Sequence, residues 1–333
     1  MPRVAHYCTY FDHRFLPVGL ALIESMRRHC GDFTLWVLCL SDECHAALLS
    51  LALPGIIPVA LPRLEADDPR LLEAKRGRPA IEYYYTCGPA FMAWLFEKRS
   101  DIKVLTYLDA DLFFFADPRF LLDQMEGFST LIVPHNYSPR NARLTKITGI
   151  YNVGWLSFRR DADGLACLQW WRERCLESCA RTGGYCGDQM YLDAFPERFH
   201  RVLISRHPGV NVAPWNLDNY QFSVGHDRKP RVDGEPIVFF HFSELRRVTS
   251  FLWRAPYSNF GAPVTRIVRS TVFRPYLRVV RTAEKASGYR LPPPRLKRGA
   301  TLFRRNRFLA ALRELAALVV RGGGIWVFGG RTW

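Results

Sequence analysis

Short apolar runs alternate with stretches whose apolar residues return at helical spacing, and this rhythm organises most of the chain. It predicts strands over 3–9, 33–40, 56–61, 104–108, 130–134 and 151–158, with a late one over 237–242. Between them it predicts helices over 15–29, 42–53, 88–98 and 163–179; in the first, Leu16, Leu20, Ile23 and Met26 mark one face. Strands alternating with helices imply an α/β fold: a Rossmann-like, mixed, mostly parallel sheet flanked by helices on both faces. The charged stretch 62–79 reads as an irregular loop, long enough to suggest function. Past about residue 260 the rhythm dissolves. It returns over 301–320, where Phe308, Leu312, Leu315 and Val319 form the apolar stripe of a final amphipathic helix. The expected division is a body over 1–260 and a basic, Arg-rich C-terminal extension over 261–333.

Composition changes this picture mainly at the C-terminus. The 333 residues hold 46 Lys+Arg against 31 Asp+Glu, a formal charge of +15. From Leu245 to Trp333 there are 19 basic residues against Glu284 and Glu314 alone, so a near-neutral body carries a strongly basic last quarter. A hydrophobic share of 48% excludes disorder. The charge raises nucleic acid, an anionic membrane surface or an acidic substrate as partners. No nucleic-acid motif is present, and the tail lacks the regular basic–aromatic interleaving of a stacking platform, so nucleic acid is not expected. Arg304, Arg305 and Arg307 crowd the first turn of the final helix, where the dipole favours acids. An anionic membrane leaflet is therefore the expected partner of this tail, with packing on the body as the alternative. The nine cysteines form no CxxC pair, the N-terminus has no apolar leader, and no apolar run reaches the roughly 18–20 residues of a membrane span. These features point to a cytoplasmic address, peripheral on the inner face of the membrane.

The sharpest local chemistry is VLTYLDADLFFFADP, where an apolar strand runs into Asp109-Ala110-Asp111. Residues two apart in extended chain face the same side, so both carboxylates can meet one ligand. Ligands of α/β sheets gather at the carboxyl ends of strands, where this pair falls. Two such close carboxylates resist joint ionisation, and a hard divalent cation resolves the conflict. A cation with open positions suits a diphosphate leaving group.

Strand, Asp-x-Asp, apolar strand and Asp-Pro together resemble the metal-binding core of GT-A-type nucleotide-sugar glycosyltransferases, nearest to the retaining, family 8-like enzymes. Further segments follow in the family's order, so the resemblance covers roughly residues 3–255. It implies that Thr9 and Tyr10, in the first strand-end loop, hold the nucleotide base, and that Asn152 and Gly154 line the sugar pocket. It implies that Asp188 lies near the sugar hydroxyls and Gln189 near the anomeric carbon, with His241 completing the metal site beside Asp109 and Asp111. The family's late His-x-x-Gly-x-x-Lys-Pro-Trp is altered: Glu244 replaces the Gly, Arg247 the Lys, and Pro-Trp is missing. Arg247 would then serve the diphosphate, and the chain resembles a divergent branch. An imidazole ligand favours Mn²⁺, with Mg²⁺ as the alternative.

The implied activity is metal-dependent transfer of a sugar from a nucleotide-diphosphate donor, UDP-linked, to a hydroxyl of a cell-surface glycan or lipid-linked precursor. The alternatives are a non-catalytic scaffold on the same fold and a sugar nucleotidyltransferase. Each site residue also has a plainer reading. Asp188 and Gln189 can cap a helix, His241 can be a satisfied core histidine, and Asn152 can end a strand. The tyrosines of 82–86 and the loop 211–216, with Trp215, are further candidates for the cleft wall.

Overall fold

The computed structural model describes residues 4–180, 187–243, 245–247, 252–254, 260–261, 264–291, 324–328 and 331–332. The first half comprises β1 (Ala5–Phe11), α1 (Leu16–His29), β2 (Phe33–Cys39), α2 (Asp42–Leu51), β3 (Ile56–Ala60), α3 (Leu61–Asp67), α4 (Pro69–Arg76), α5 (Ala80–Lys98), β4 (Val104–Leu108) and β5 (Leu112–Phe114). There follow α6 (Arg119–Asp123), β6 (Thr130–Pro134), α7 (Thr145–Thr148), β7 (Tyr151–Arg159), α8 (Ala162–Glu177), α9 (Phe195–Arg198) and β8 (Val202–Ile204). Next come β9 (Phe222–Val224), β10 (Pro230–Val232), β11 (Glu235–Pro236), β12 (Phe239–His241), β13 (Arg246–Arg247) and β14 (Leu252–Arg254). A helix over 266–287 and the strands β15 (Gly324–Phe328) and β16 (Arg331–Thr332) complete the described chain.

Seven strands form the main sheet in the order β3-β2-β1-β4-β7-β6-β8. Only β7 runs against its neighbours, so the sheet is mixed and mostly parallel, as the sequence pattern implies. Both faces are covered. In β2, Leu35, Val37 and Cys39 join one apolar cluster, and Trp36 and Leu38 join the other. That is why these strands read as continuous apolar runs rather than alternating ones. On one face α5 and α8 pack through Phe91, Leu95 and Trp171; on the other α1 packs over Trp155 and Phe239.

Three expectations are corrected. The stretch 62–79 is two helices, α3 and α4, not a loop. Pro62 and Pro69 sit in the first turns, where a missing N–H costs nothing, so they start helices instead of breaking them. Asp68 caps α4 by accepting from the Leu71 N–H at 3.3 Å, and Arg172 of α8 grips the same carboxylate at 2.7 Å. Second, α5 begins at Ala80 rather than Gly88 and carries Gly88-Pro89 in its interior, which places the tyrosines of 83–85 on a helix.

Third, helical periodicity continues past residue 260, over 266–287. The helix over 266–287 buries Val268, Val272, Phe273, Tyr276, Leu277, Val280 and Ala283 against α1 and the phenylalanines of β5 and β12. Its ring contacts include Tyr276 stacked on Phe242 with centroids 3.7 Å apart. Interleaved arginines mask this stripe in the sequence. The expected helix over 301–320 lies outside the described residues.

Candidate functional site

The carboxyl end of β4 delivers Asp109, and a short step into β5 delivers Asp111. The Asp109 N–H donates to the Gly154 carbonyl in β7 at 3.1 Å, and the Asp111 carbonyl accepts from the Phe242 N–H at 2.9 Å. Because β12 pairs antiparallel with β5, His241 stands opposite Leu112 and its ring reaches both acids. Nε2 of His241 lies 3.1 Å from Asp111 Oδ1 and 3.6 Å from Asp109 Oδ2. Tyr107, two residues before Asp109 on the same strand face, donates its phenol to Asp109 Oδ1 at 2.8 Å.

A buried amide relay fixes the imidazole from behind. Asn152 Oδ1 accepts from the Gly154 N–H at 3.0 Å, which sets the orientation of its amide. The same oxygen lies 3.1 Å from His241 Nδ1, so that nitrogen carries a proton and Nε2 is the ring atom that faces the acids. Asn152 Nδ2 donates to Gln189 Oε1 at 2.9 Å and to His135 Nε2 at 3.2 Å. Gln189 Oε1 also accepts from the Val153 N–H at 3.3 Å, and its Nε2 donates to the Thr148 carbonyl at 2.8 Å. Pairing of β6 with β7 slips between Ile132 and Val133, beside Asn152, an irregularity of the kind that re-aims side chains near sites. Gly154 is needed for close approach: a Cβ there would fall 2.5 Å from Asn152 Oδ1 and 3.0 Å from His241 Nδ1.

Electrostatics follow from burial and crowding. Burial pushes the Asp109 carboxyl up; His241 opposes this and Asp111 adds to it. For His241, burial acts downward, but Asp111 and Asp109 outweigh it and the net shift is up. Burial pushes Asp188 far up, reinforced by Cys179 and Asp109. Burial holds His135 down at about 3, so it is a neutral acceptor for Asn152. Asp109, Asp111 and His241 offer ligand atoms within 4.8 Å of one another. Two carboxylate oxygens and one imidazole nitrogen with its back hydrogen-bonded fit a single hard divalent cation.

These groups lie in a cleft of about 680 Å³. Of the residues singled out from sequence, Tyr10, Asp109, Asp111, Asn152, Asp188, Gln189 and His241 line it together. Thr9 does not: it is fully buried, its hydroxyl without a partner among the described residues. Gly154 contributes backbone only. Arg247 stands outside the lining and pairs with Glu284 of the 266–287 helix at 3.1 Å. Asp188 begins a short 3₁₀ turn but makes no side-chain cap bond. Tyr84, Tyr85 and Trp215 join the cleft wall.

Sequence reasoning missed Tyr107, His135 and Tyr137. His135 and Tyr137 stack at 4.6 Å, and the Trp215 indole N–H donates to the His135 carbonyl at 2.8 Å. The signal for His135 was its place just past the end of β6, the same strand-end logic that singled out Asp109.

No family model matches the chain. The uncharacterized protein YfnF of Bacillus subtilis is 34% identical over 253 residues, spanning 73% of this chain and 82% of that protein. YfnD of the same organism is 32% identical over 249 residues, spanning 73% and 79%. Solved structures with a related arrangement include apo mouse xyloside xylosyltransferase 1, with TM-score 0.48 and 15% identity over 73% of this chain and 98% of that one. Another is the galactosyltransferase LgtC with donor and acceptor sugar analogues, with TM-score 0.47 and 14% identity over 91% and 99%.

Proposed function

We propose that this chain, which belongs to the family of Bacillus subtilis YfnF and YfnD, is a metal-dependent glycosyltransferase of the GT-A type. It would move a sugar from a nucleotide-diphosphate donor, UDP-linked, to a hydroxyl of a glycan or lipid-linked acceptor. The observation that carries this reading is the convergence of Asp109, Asp111 and His241 in a cleft that also holds Asp188 and an aromatic wall. A divalent cation bound by these three side chains would supply Lewis acidity to the departing diphosphate. The imidazole among the ligands favours Mn²⁺ over Mg²⁺.

The chain's own groups divide the remaining work. Tyr10 and Asp12 lie at the strand-end loop suited to the nucleotide base. Asp188, whose carboxyl burial pushes up, suits hydrogen bonding to sugar hydroxyls. The Gln189 carboxamide is fixed at both ends, so it acts as an oriented dipole near the reacting carbon, not as a nucleophile. Asn152 already uses its amide on four neighbours and serves the sugar pocket by holding His241 and Gln189 in place. Trp215 and Tyr137 would face the acceptor. Arg247 would reach a diphosphate only by leaving Glu284.

The basic C-terminal region is the proposed contact with an anionic membrane surface, from the cytoplasmic side. Arg266, Arg278 and Lys285 are exposed on the outward side of the 266–287 helix, with Arg274 and Arg281 half-buried beside them, and the opposite side is buried. No helix among the described residues is long and apolar enough to cross a membrane. Replacing these five residues by Gln should reduce sedimentation with anionic vesicles and leave the signal with neutral vesicles unchanged; equal sedimentation of both proteins would refute the contact.

The test of activity is donor turnover. The protein is incubated with UDP-, GDP- and dTDP-sugars, with and without Mn²⁺, and nucleotide release is followed. Metal-dependent hydrolysis of one donor, abolished by EDTA and by Asp111→Ala, is the expected result. Absence of any nucleotide binding by calorimetry, with or without Mn²⁺, would overturn the proposal.

A further inference from the structure

A second cavity, of about 310 Å³, opens on the far side of the loop that carries Trp215. Its walls are Leu217, Tyr220, Phe222 and Val268, with Asp218 and Thr265 as the polar members. The loop between cavity and cleft is rigid for a visible reason. Asn216 is fully buried, accepts from the Ala213 N–H at 2.8 Å, and donates to the carbonyls of His135 and Asn211, both at 2.9 Å. Trp215 is thereby held toward the cleft and Asp218, three residues on, toward the cavity.

The cavity's chemistry is specific. Tyr220 and Phe222 meet edge to face with centroids 6.4 Å apart, giving two differently inclined apolar surfaces. Asp218 pairs with Arg140 at 3.3 Å, so its charge is offset while the carboxylate still offers an acceptor. Thr265 Oγ1 accepts from the Val268 N–H at 3.3 Å, which leaves its hydroxyl proton to donate outward. Arg140 also ties the cavity to the cleft. It packs against Gly261, where a Cβ would lie 2.9 Å from Arg140 Cδ, and the neighbouring Phe260 lines the cleft and meets Trp215 at 6.1 Å. Inclined aromatic faces, a charge-compensated acceptor and an outward hydroxyl donor match a neutral pyranose, which presents apolar C–H faces and a rim of hydroxyls.

We propose that this cavity is a saccharide subsite that holds a sugar ring of an oligosaccharide acceptor whose terminal ring lies in the catalytic cleft. The acceptor role rests on the glycosyltransferase reading above. The cavity's capacity to bind a saccharide does not.

The test uses the full chain and neutral linear oligosaccharides of one to six gluco-, galacto- or manno-configured units, by saturation-transfer NMR and calorimetry. Oligosaccharides are expected to bind more tightly than monosaccharides. Asp218→Asn and Phe222→Ala are each expected to weaken that binding by about tenfold, with melting temperature and acceptor-free donor hydrolysis unchanged. If Phe222→Ala lowers the melting temperature, Asp218→Asn, which alters only a rim group, decides. No binding of any oligosaccharide, or equal binding by wild type and Asp218→Asn, overturns the subsite. Loss of oligosaccharide binding in the variants without turnover of any donor keeps the subsite and removes its role as acceptor site.

Discussion

Asn152→Ala tests the amide relay and the cation site together. The substitution removes four hydrogen bonds inside a residue that is 4% exposed. Gln189 Oε1 keeps the Val153 N–H, but the Gly154 N–H, His241 Nδ1 and His135 Nε2 lose their partner. At about 1 kcal/mol for each buried group left unpaired, the cost is about 3 kcal/mol. For a chain of this size that lowers the melting temperature by about 4 °C. Calorimetric melting in EDTA isolates this effect from metal binding. Without Asn152 Oδ1 the imidazole is free to turn or to change tautomer, so Mn²⁺ affinity, titrated separately, should fall about 10- to 100-fold. Asn152→Asp separates the two effects. It keeps an acceptor for Gly154 and His241 but sets an oxygen against Gln189 Oε1 and His135 Nε2, so stability falls while Mn²⁺ affinity is better preserved. Melting of Asn152→Ala within 1 °C of wild type (about a quarter of the shift worked out above), with unchanged Mn²⁺ affinity, would refute the relay.

Other outcomes follow from the same geometry. His135 is neutral when folded, with its pKa lowered from 6.5 to about 3 by burial; the unfolded chain therefore takes up this proton first, and stability drains away as pH falls through that window. Urea denaturation at pH 7, 6 and 5 should show His135→Phe losing about 1.4 kcal/mol less per pH unit below 6 than wild type; parallel losses would contradict this. Arg247→Ala leaves Glu284, with a side chain 10% exposed, holding only the Leu291 N–H among the described residues, and should cost about 3 kcal/mol in chemical denaturation, more than Glu284→Gln. Gly164→Ala should destabilise, although Gly→Ala in a helix ordinarily stabilises by about 1 kcal/mol, because the new Cβ would meet the Arg159 carbonyl oxygen at 2.3 Å. A rise in its melting temperature would show that the turn before α8 yields.

The main sheet and the paired aspartates were legible because their signals are local. Short, mainly apolar runs bounded by polar residues fit strands covered on both faces, and Asp109 and Asp111 stand at the end of one. The late histidine was legible through family resemblance, and the structure supplies its reason in the β5–β12 pairing that sets His241 opposite Leu112. What escaped depends on contacts distant in sequence. Leu64 and Leu71 read as isolated leucines in a charged stretch until α5 and α8 give α3 and α4 a surface to bury them against. The stripe from Val268 to Ala283 is hidden by arginines at the positions between. Gln189 reads as a reactive-site residue in sequence, but only the fold reveals that Asn152, Val153 and Thr148 already occupy its amide.

The pairing of β15 with β14 has a practical consequence. Leu252, Trp253 and Arg254 take their antiparallel partners from Trp326, Ile325 and Gly324. Shortening the protein to remove its arginines would therefore also unzip this ladder and leave β14 with a bare edge, a template for pairing between molecules. Such a truncated protein would aggregate and pellet with or without vesicles, mimicking or masking membrane attachment. The charge has to be removed residue by residue, with the last strands left in place.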